Sequence, residues 1–339
     1  MTRADVCAGI LWVGATFYAL FGGADFGGGF WDLVAGGAER GERPRALIQR
    51  SLTPVWEANH VWLIFILVVL WTAFPPAFGA VMTTLYVPIA LAAVGIVLRG
   101  SGFAFRKSIE GLSGRRAAGA TFAISSLLTP FFMGAVVGAI AAGNVPGGGN
   151  GDPFSSWLQP LPLLTGAMFV ATGAYLAAVF LIADAHRFGD PELRGYFARR
   201  ALAAAAVAGI AAAFGLVELH AEARYIFDRL TDQGLPLVIL SLLCGIGVLA
   251  SLLFVFRRPQ EKPPAALRPL AAGAVVAVIW GWGVAQFPYL LPTSLKITQS
   301  AAPPDTLATV IVVFLVAAIL VLPALGLLYW LSQKELLGE

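Results

Sequence analysis

The amino-acid sequence predicts an all-α polytopic membrane protein of about nine transmembrane helices. Three observations carry that expectation. Hydrophobic residues make up 58% of the 339 and charged residues only 12%, where a soluble domain carries about a quarter charged; the mean hydropathy is +0.81. The apolar residues come in runs of about 20, the length that crosses roughly 30 Å of hydrocarbon with every backbone polar group bonded internally. Basic residues cluster in alternate connections between those runs, as in a chain that crosses a bilayer repeatedly.

The first run, 4–35, grows out of "MTRADVCAGILWVGATFYALF" with no basic leader and no small-residue cleavage site. It is expected to be a retained helix and not a removed signal peptide. Runs at 52–74 and 78–99 are joined by "FPPAFGA", expected as a tight turn. The fourth run, 118–142, ends in "GNVPGGGNGDPFSSWLQP", a stretch without periodicity that reads as a flexible Gly/Pro loop. The fifth to ninth runs lie at 161–184, 200–220, 235–256, 267–287 and 305–331. No long polar stretch is left over for a soluble domain, so residues 1–339 read as one integral-membrane domain. Helices 1–4 (about 4–142) and helices 5–8 (about 161–287) each return the chain to its starting side. "ATFYALFGGAD" in the first helix is faintly echoed by "ATGAYLAAVFLIAD" in the fifth. Two four-helix bundles, with helix 9 (about 305–331) peripheral, are the expected arrangement.

Connections one, three, five and seven and the C-terminal tail hold 18 of the 22 Lys and Arg residues, and the opposite side holds only Arg3, Arg224, Arg229 and Lys296. The positive-inside rule then places the N-terminus outside and the C-terminus in the cytoplasm. The formal charge of +3 is therefore a topology signal and not a nucleic-acid one. Cys7 and Cys244 fall in separate apolar runs, with no CxxC or Cys/His spacing, and read as packing residues.

Ionisable residues at membrane depth cost about 2.5–3.5 kcal/mol at a helix centre and tend to mark ion or proton routes. In "FGGADFGGGFWD", Asp25 lies in the cytoplasmic half of the first helix. In "PVWEANHVW", Glu57 and His60 are three apart and share one face of the second helix, with Asn59 between them and Trp56 and Trp62 alongside. These groups reach one depth, where a carboxylate, an amide and an imidazole can hold or pass a proton. The histidine is the natural switch, because its ordinary pKa lies near 6.5. The plainer reading makes Glu57 and His60 interfacial anchors. Arg99 closes the third helix on the same side, placed to pair with Asp25 or Glu57 or to act as a positive-inside anchor.

Gly23 and Gly27 form a small-xxx-small pair which, with Gly22, Gly28 and Gly29, admits a second backbone or a flat cofactor. The same glycines weaken the helix enough to permit a kink. Asp184, His186, Glu218 and His220 read as interfacial residues. With three histidines, all near helix ends, a bis-His haem site cannot be assembled, although His60 or His186 could serve as a single ligand; no cofactor or metal is expected on this chain. A proton-coupled secondary transporter using Asp25 and Glu57 is the alternative from another functional class.

"GADFGGGFWDL", followed in the next helix by "PVWEANHVWLI", closely resembles subunit II of the cytochrome bd-type quinol oxidases, including their cyanide-insensitive branch. "LRGSGFAFR" and "GWGVAQFPYLLP" resemble the same family, and the resemblance runs over essentially the whole chain. It implies a multi-pass subunit of a quinol:oxygen oxidoreductase in the bacterial cytoplasmic (inner) membrane. By that resemblance the partner, subunit I, carries haem b, haem d or a third haem b, and the external quinol site. Subunit II holds none of these; it supports assembly of the haem subunit and contributes to cytoplasmic proton supply. A small single-helix accessory subunit, the lipid bilayer and the quinone pool complete the implied partners. Asp25 matches the acid of the family's D-F-G-x-G segment, Glu57 the acid of its W-[DE]-x-N-x-V-W segment, and Arg99 the arginine closing the third helix. Many relatives carry Asp at the position of Glu57, and Gln or Glu at that of His60.

Overall fold

The computed structural model describes residues 2–52, 56–108, 112–258 and 261–333. Among them, seven helices are long and apolar enough to cross a membrane, or eight if one bent pair counts as a single span. The chain starts with α1 (Arg3–Phe17), a π-turn (Tyr18–Gly22) and α2 (Gly23–Leu33), which run on as one span of 31 residues. Its N-terminus is closed by a capping box: the Thr2 hydroxyl accepts the Asp5 amide at 3.2 Å, and the Asp5 carboxylate accepts the Thr2 amide at 2.7 Å.

The basic connection that follows is itself a helix, α3 (Ala38–Leu52). It is amphipathic: Leu47 and Ile48 are buried, whereas Glu39, Glu42 and Arg43 face outward. Arg45, at its middle, ties it to the preceding span by donating from Nε to Asp32 Oδ1 at 2.9 Å. Next, α4 (Trp56–Ala73) stops at Phe74 and α5 (Pro75–Thr84) leaves at an angle of 119°. "FPPAFGA" is therefore not a tight turn. Proline is at ease in a first helical turn, where its missing N–H has no partner to lose, so Pro75 and Pro76 start a helix here. The long helix expected from residue 78 accordingly begins later, as α6 (Tyr86–Ser108), whose apolar part is Tyr86–Gly102.

Four long helices follow: α7 (Leu112–Ala141), α8 (Pro160–Arg187), α9 (Pro191–Glu222) and, after the short α10 (Arg224–Thr231), α11 (Leu235–Arg257). Then come α12 (Leu267–Gln286), an antiparallel hairpin of β1 (Tyr289–Leu291) and β2 (Leu295–Lys296), a single turn α13 (Ile297–Ser300), and α14 (Pro304–Gln333). The Gly/Pro connection between α7 and α8 folds against the hairpin, with Val145 and Trp157 buried and the Gly147 amide donating to Ser294 Oγ at 2.6 Å.

Two large apolar cores organise the helices, beside a smaller third around Leu161, Ile226 and Ala285. One joins α2, α3, α8, α9, α11 and α12 around Trp31, Ile48, Leu176, Ile182, Phe197, Leu252 and Leu267. The other joins α1, α4, α5 and α7 to the hairpin and α14 around Phe74, Leu85, Ala135 and Leu291. Helix α8 packs on α2, α7 and α9 and so belongs to both halves of the chain. Its approach to α2 is a backbone contact, in which Gly27 faces Gly173, and the Trp31 indole donates to the Ala174 carbonyl at 2.7 Å. No residue in the most apolar stretch of α14 is fully buried, as on a helix that faces hydrocarbon, although Leu307 near its start joins the second core.

Candidate functional site

Asp25 follows the π-turn by three residues, on the face of α2 that is buried with Phe26, Gly28, Gly29 and Asp32. There it meets Arg99 of α6. The guanidinium grips the carboxylate as a fork, with Nη1 to Oδ2 and Nη2 to Oδ1 both at 2.8 Å, and Nη2 also reaches the Asp25 carbonyl at 3.2 Å. Both residues are 1% exposed. Removing two such charges from water costs several kcal/mol per ion, which is offset only by good geometry and by hydrogen bonds to the remaining donors. Those bonds are present: Arg99 Nε donates to Ser126 Oγ on α7 at 3.0 Å. The guanidinium carbon also lies 4.8 Å from the Phe26 ring centroid and 4.9 Å from that of Phe122, at cation–π distance.

Helix α4 brings His60 to this pair. Its imidazole meets the Phe26 ring edge-on at 6.0 Å between centroids and lies within Coulombic reach of both Arg99 and Asp25. Asn59 is buried beside it. Glu57 belongs to the first turn of α4, but its side chain lies outside the described ones. Of the two partners open to Arg99 in the sequence, the structure places Asp25 against it. Tyr18, in the π-turn, adds a hydroxyl that donates to Met133 Sδ at 3.4 Å and also lies within reach of both charges.

Sequence reasoning missed Ser126, Tyr18 and the two phenylalanines. The one signal for Ser126 was its place in "ISSLLTP", a pair of hydroxyls one turn before a proline in an otherwise apolar helix. The remaining ionisable residues are dispersed. Asp184 accepts from Arg268 Nη2 at 2.7 Å, and the same nitrogen donates to the Phe180 carbonyl at 2.7 Å. His186 faces Arg194 at 3.4 Å and His220 contacts Arg224. The three imidazoles thus have different neighbours, on α4, α8 and α9. Among the described residues no group of three or more His, Cys, Asp or Glu is placed to hold a metal ion. Cys7 and Cys244 are free thiols, and Cys7 Sγ donates to the Leu307 carbonyl at 3.7 Å.

The family model for cytochrome bd terminal oxidase subunit II matches residues 4–332. The chain belongs to that family. As a subunit II it is similar to the cytochrome bd-I ubiquinol oxidase subunit 2 of Escherichia coli (strain K12), at 25% identity over 322 residues that cover 86% of this chain and 82% of the relative. It is also similar to the putative cytochrome bd menaquinol oxidase subunit II of Bacillus subtilis (strain 168), at 21% identity, with 98% of this chain and 96% of the relative covered. A chain in the structure of the bd oxidase from Geobacillus thermodenitrificans shares the fold, with a TM-score of 0.82 at 23% identity and 98% of each chain covered. A subunit II is one part of a quinol oxidase complex, and the name implies a subunit I beside it. Asp25 and Arg99 are thus the buried ion pair of a multi-pass membrane subunit.

Proposed function

We propose that this chain is the haem-free partner of the haem-bearing subunit I in a quinol:oxygen oxidoreductase of the bacterial cytoplasmic membrane, and that it carries part of the cytoplasmic proton supply for oxygen reduction. The observation that carries the second half is the Asp25–Arg99 fork, buried beside His60 and Asn59 within helices that are mostly apolar. Intramembrane charges of this kind are expensive and tend to be kept for ion and proton traffic.

In this reading the roles divide. Both Asp25 carboxylate oxygens are occupied by guanidinium N–H groups, so a proton arriving there would first have to displace Arg99. The pair acts as a fixed, net-neutral dipole that makes the site habitable for a transferable proton. Glu57 and His60 move the proton. A carboxylate at residue 57 collects it from the cytoplasmic side, and the imidazole three residues on takes it at one ring nitrogen and releases it from the other. The haems implied for subunit I supply the electron chemistry. The residues here orient and pass protons and exclude bulk water. The split of 18 basic residues to 4 supports an N-terminus outside and a C-terminus in the cytoplasm, which puts this site at the cytoplasmic side, within a single membrane domain of nine crossings.

The test is Glu57→Ala and His60→Ala in the assembled oxidase. Oxygen reduction is expected to slow by roughly 10²-fold or more, the scale of a lost acid–base group, with haem content retained. Unchanged turnover in both variants would refute proton transfer through them, and loss of all haem would assign the residues to assembly instead.

A further inference from the structure

Ser126 takes the Nε–H of Arg99, on the side of the guanidinium that the Asp25 carboxylate does not use and where Nη2 also reaches the Asp25 carbonyl at 3.2 Å. A guanidinium has five N–H donors in a rigid plane and can meet a carboxylate end-on, through Nη1 and Nη2, or side-on, through Nε and one Nη. Here Nη1 and Nη2 hold the carboxylate at 2.8 Å each, while Nε donates to Ser126 Oγ at 3.0 Å. The serine hydroxyl donates its own proton to the Phe122 carbonyl at 2.7 Å, so it faces Nε purely as an acceptor. Its neighbour Ser125 bonds back to the carbonyls of Thr121 and Phe122. The rings of Phe26 and Phe122 lie within cation–π distance of the same guanidinium carbon. With Nε taken, only the end-on edge is open to the acid.

Gly29 is what admits the serine. It lies one helical turn beyond Asp25 on α2, and a Cβ there would stand 2.1 Å from Ser126 Oγ and 2.4 Å from Ser126 Cβ. Any side chain at residue 29 evicts the hydroxyl. One face of α2 therefore carries both the acid and the notch that fixes how its partner arrives.

We infer that Ser126, admitted by Gly29, is a positioning residue that forces Arg99 to meet Asp25 end-on and so fixes the carboxylate relative to His60. The functional half of this inference rests on the proton-route reading above.

The experiment is Ser126→Ala in the intact oxidase complex, with the carboxylate stretching band of Asp25 followed by infrared spectroscopy and assigned by its loss in Asp25→Asn. The band is expected to shift as the freed guanidinium turns side-on. The pH profile of oxygen reduction is expected to move and turnover to fall roughly tenfold, the scale of one hydrogen bond to a charged group, with haem content and the KM for quinol unchanged. The exchange Gly29→Ala with Ser126→Gly separates packing from hydrogen bonding, because it refills the notch without a hydroxyl; it is expected to behave as Ser126→Ala. An unshifted band in both variants overturns the positioning role. A shifted band with wild-type turnover and pH profile leaves the edge-selecting role standing and overturns the proton-route reading instead.

Discussion

Gly27 meets Gly173 backbone to backbone: a Cβ built on Gly27 would lie 1.9 Å from the Gly173 carbonyl oxygen and 2.8 Å from the Ala174 nitrogen. Nothing at that contact can swing aside, since the obstructing atoms are main chain. The span that carries Asp25 is thereby held against α8, the helix shared by both halves of the molecule.

Gly27→Ala is therefore expected to push α2 off α8 and to cost about 1–3 kcal/mol, the usual range for forced overpacking. Thermal unfolding of the purified complex reads the loss. Gly9→Ala, at a position in α1 where an added Cβ meets nothing within 4 Å, is the matched control and is expected to hold the midpoint or raise it slightly, since alanine favours a helix over glycine.

Removing one charge of the central pair is a different kind of damage. Arg99→Met or Asp25→Leu alone leaves an uncompensated buried ion and is expected to cost about 3–5 kcal/mol, whereas the double variant, with both charges replaced by apolar side chains, recovers most of that. Turnover of the double variant is expected to stay low. A stable double variant with full oxygen reduction would make the pair a structural clamp only.

Acid stability has a local reporter at Asp190, the N-cap of α9, whose carboxylate accepts the Leu193 amide at 2.9 Å and the Arg43 guanidinium at 2.7 Å. Burial pushes this carboxyl up, but the Leu193 amide and the Arg43 hydrogen bond and charge outweigh it and hold it below the ordinary carboxylate range. A depressed folded-state pKa contributes stability above the unfolded value, near 3.9, and that contribution is lost as the pH falls through the folded value. Comparing wild type with Asp190→Asn by thermal unfolding from about pH 7 to about pH 3 is expected to show a gap that is full at neutral pH and narrows below about pH 4.

Much of this architecture is legible in the amino-acid sequence. The runs read at 161–184, 235–256 and 267–287 emerge as Pro160–Arg187, Leu235–Arg257 and Leu267–Gln286, because proline or glycine and clustered charges bound them sharply. Helix α3 was not legible, since its apolar contribution is confined to residues such as Leu47 and Ile48 among arginines and glutamates that look like a solvated connection. Helix α5 was hidden because a Pro-Pro pair signals a turn and a helix start alike. Asp25 and Arg99 could be found because charge is rare in these segments, yet that the two meet as a two-bond fork was not legible, since it depends on how α2 and α6 are brought together in space. Ser126 gave almost no signal. A serine in an apolar helix commonly bonds to its own helix, as this one does at Phe122, and only the notch at Gly29 exposes its second allegiance.

The π-turn at Tyr18–Gly22 bears on all of this. A π-turn absorbs one extra residue in an α-helix; wound at 3.6 residues per turn instead, that extra residue would rotate everything beyond it by about 100°. Without it, the same α2 sequence would present another flank to α6 and carry Asp25 well away from Arg99. The azimuth of the acid is thus set upstream: with the same five residues wound as ordinary α-helix the pair would be disconnected and every charged residue left intact, whereas deleting one of the five together with the wide turn would bring Asp25 back to the same face.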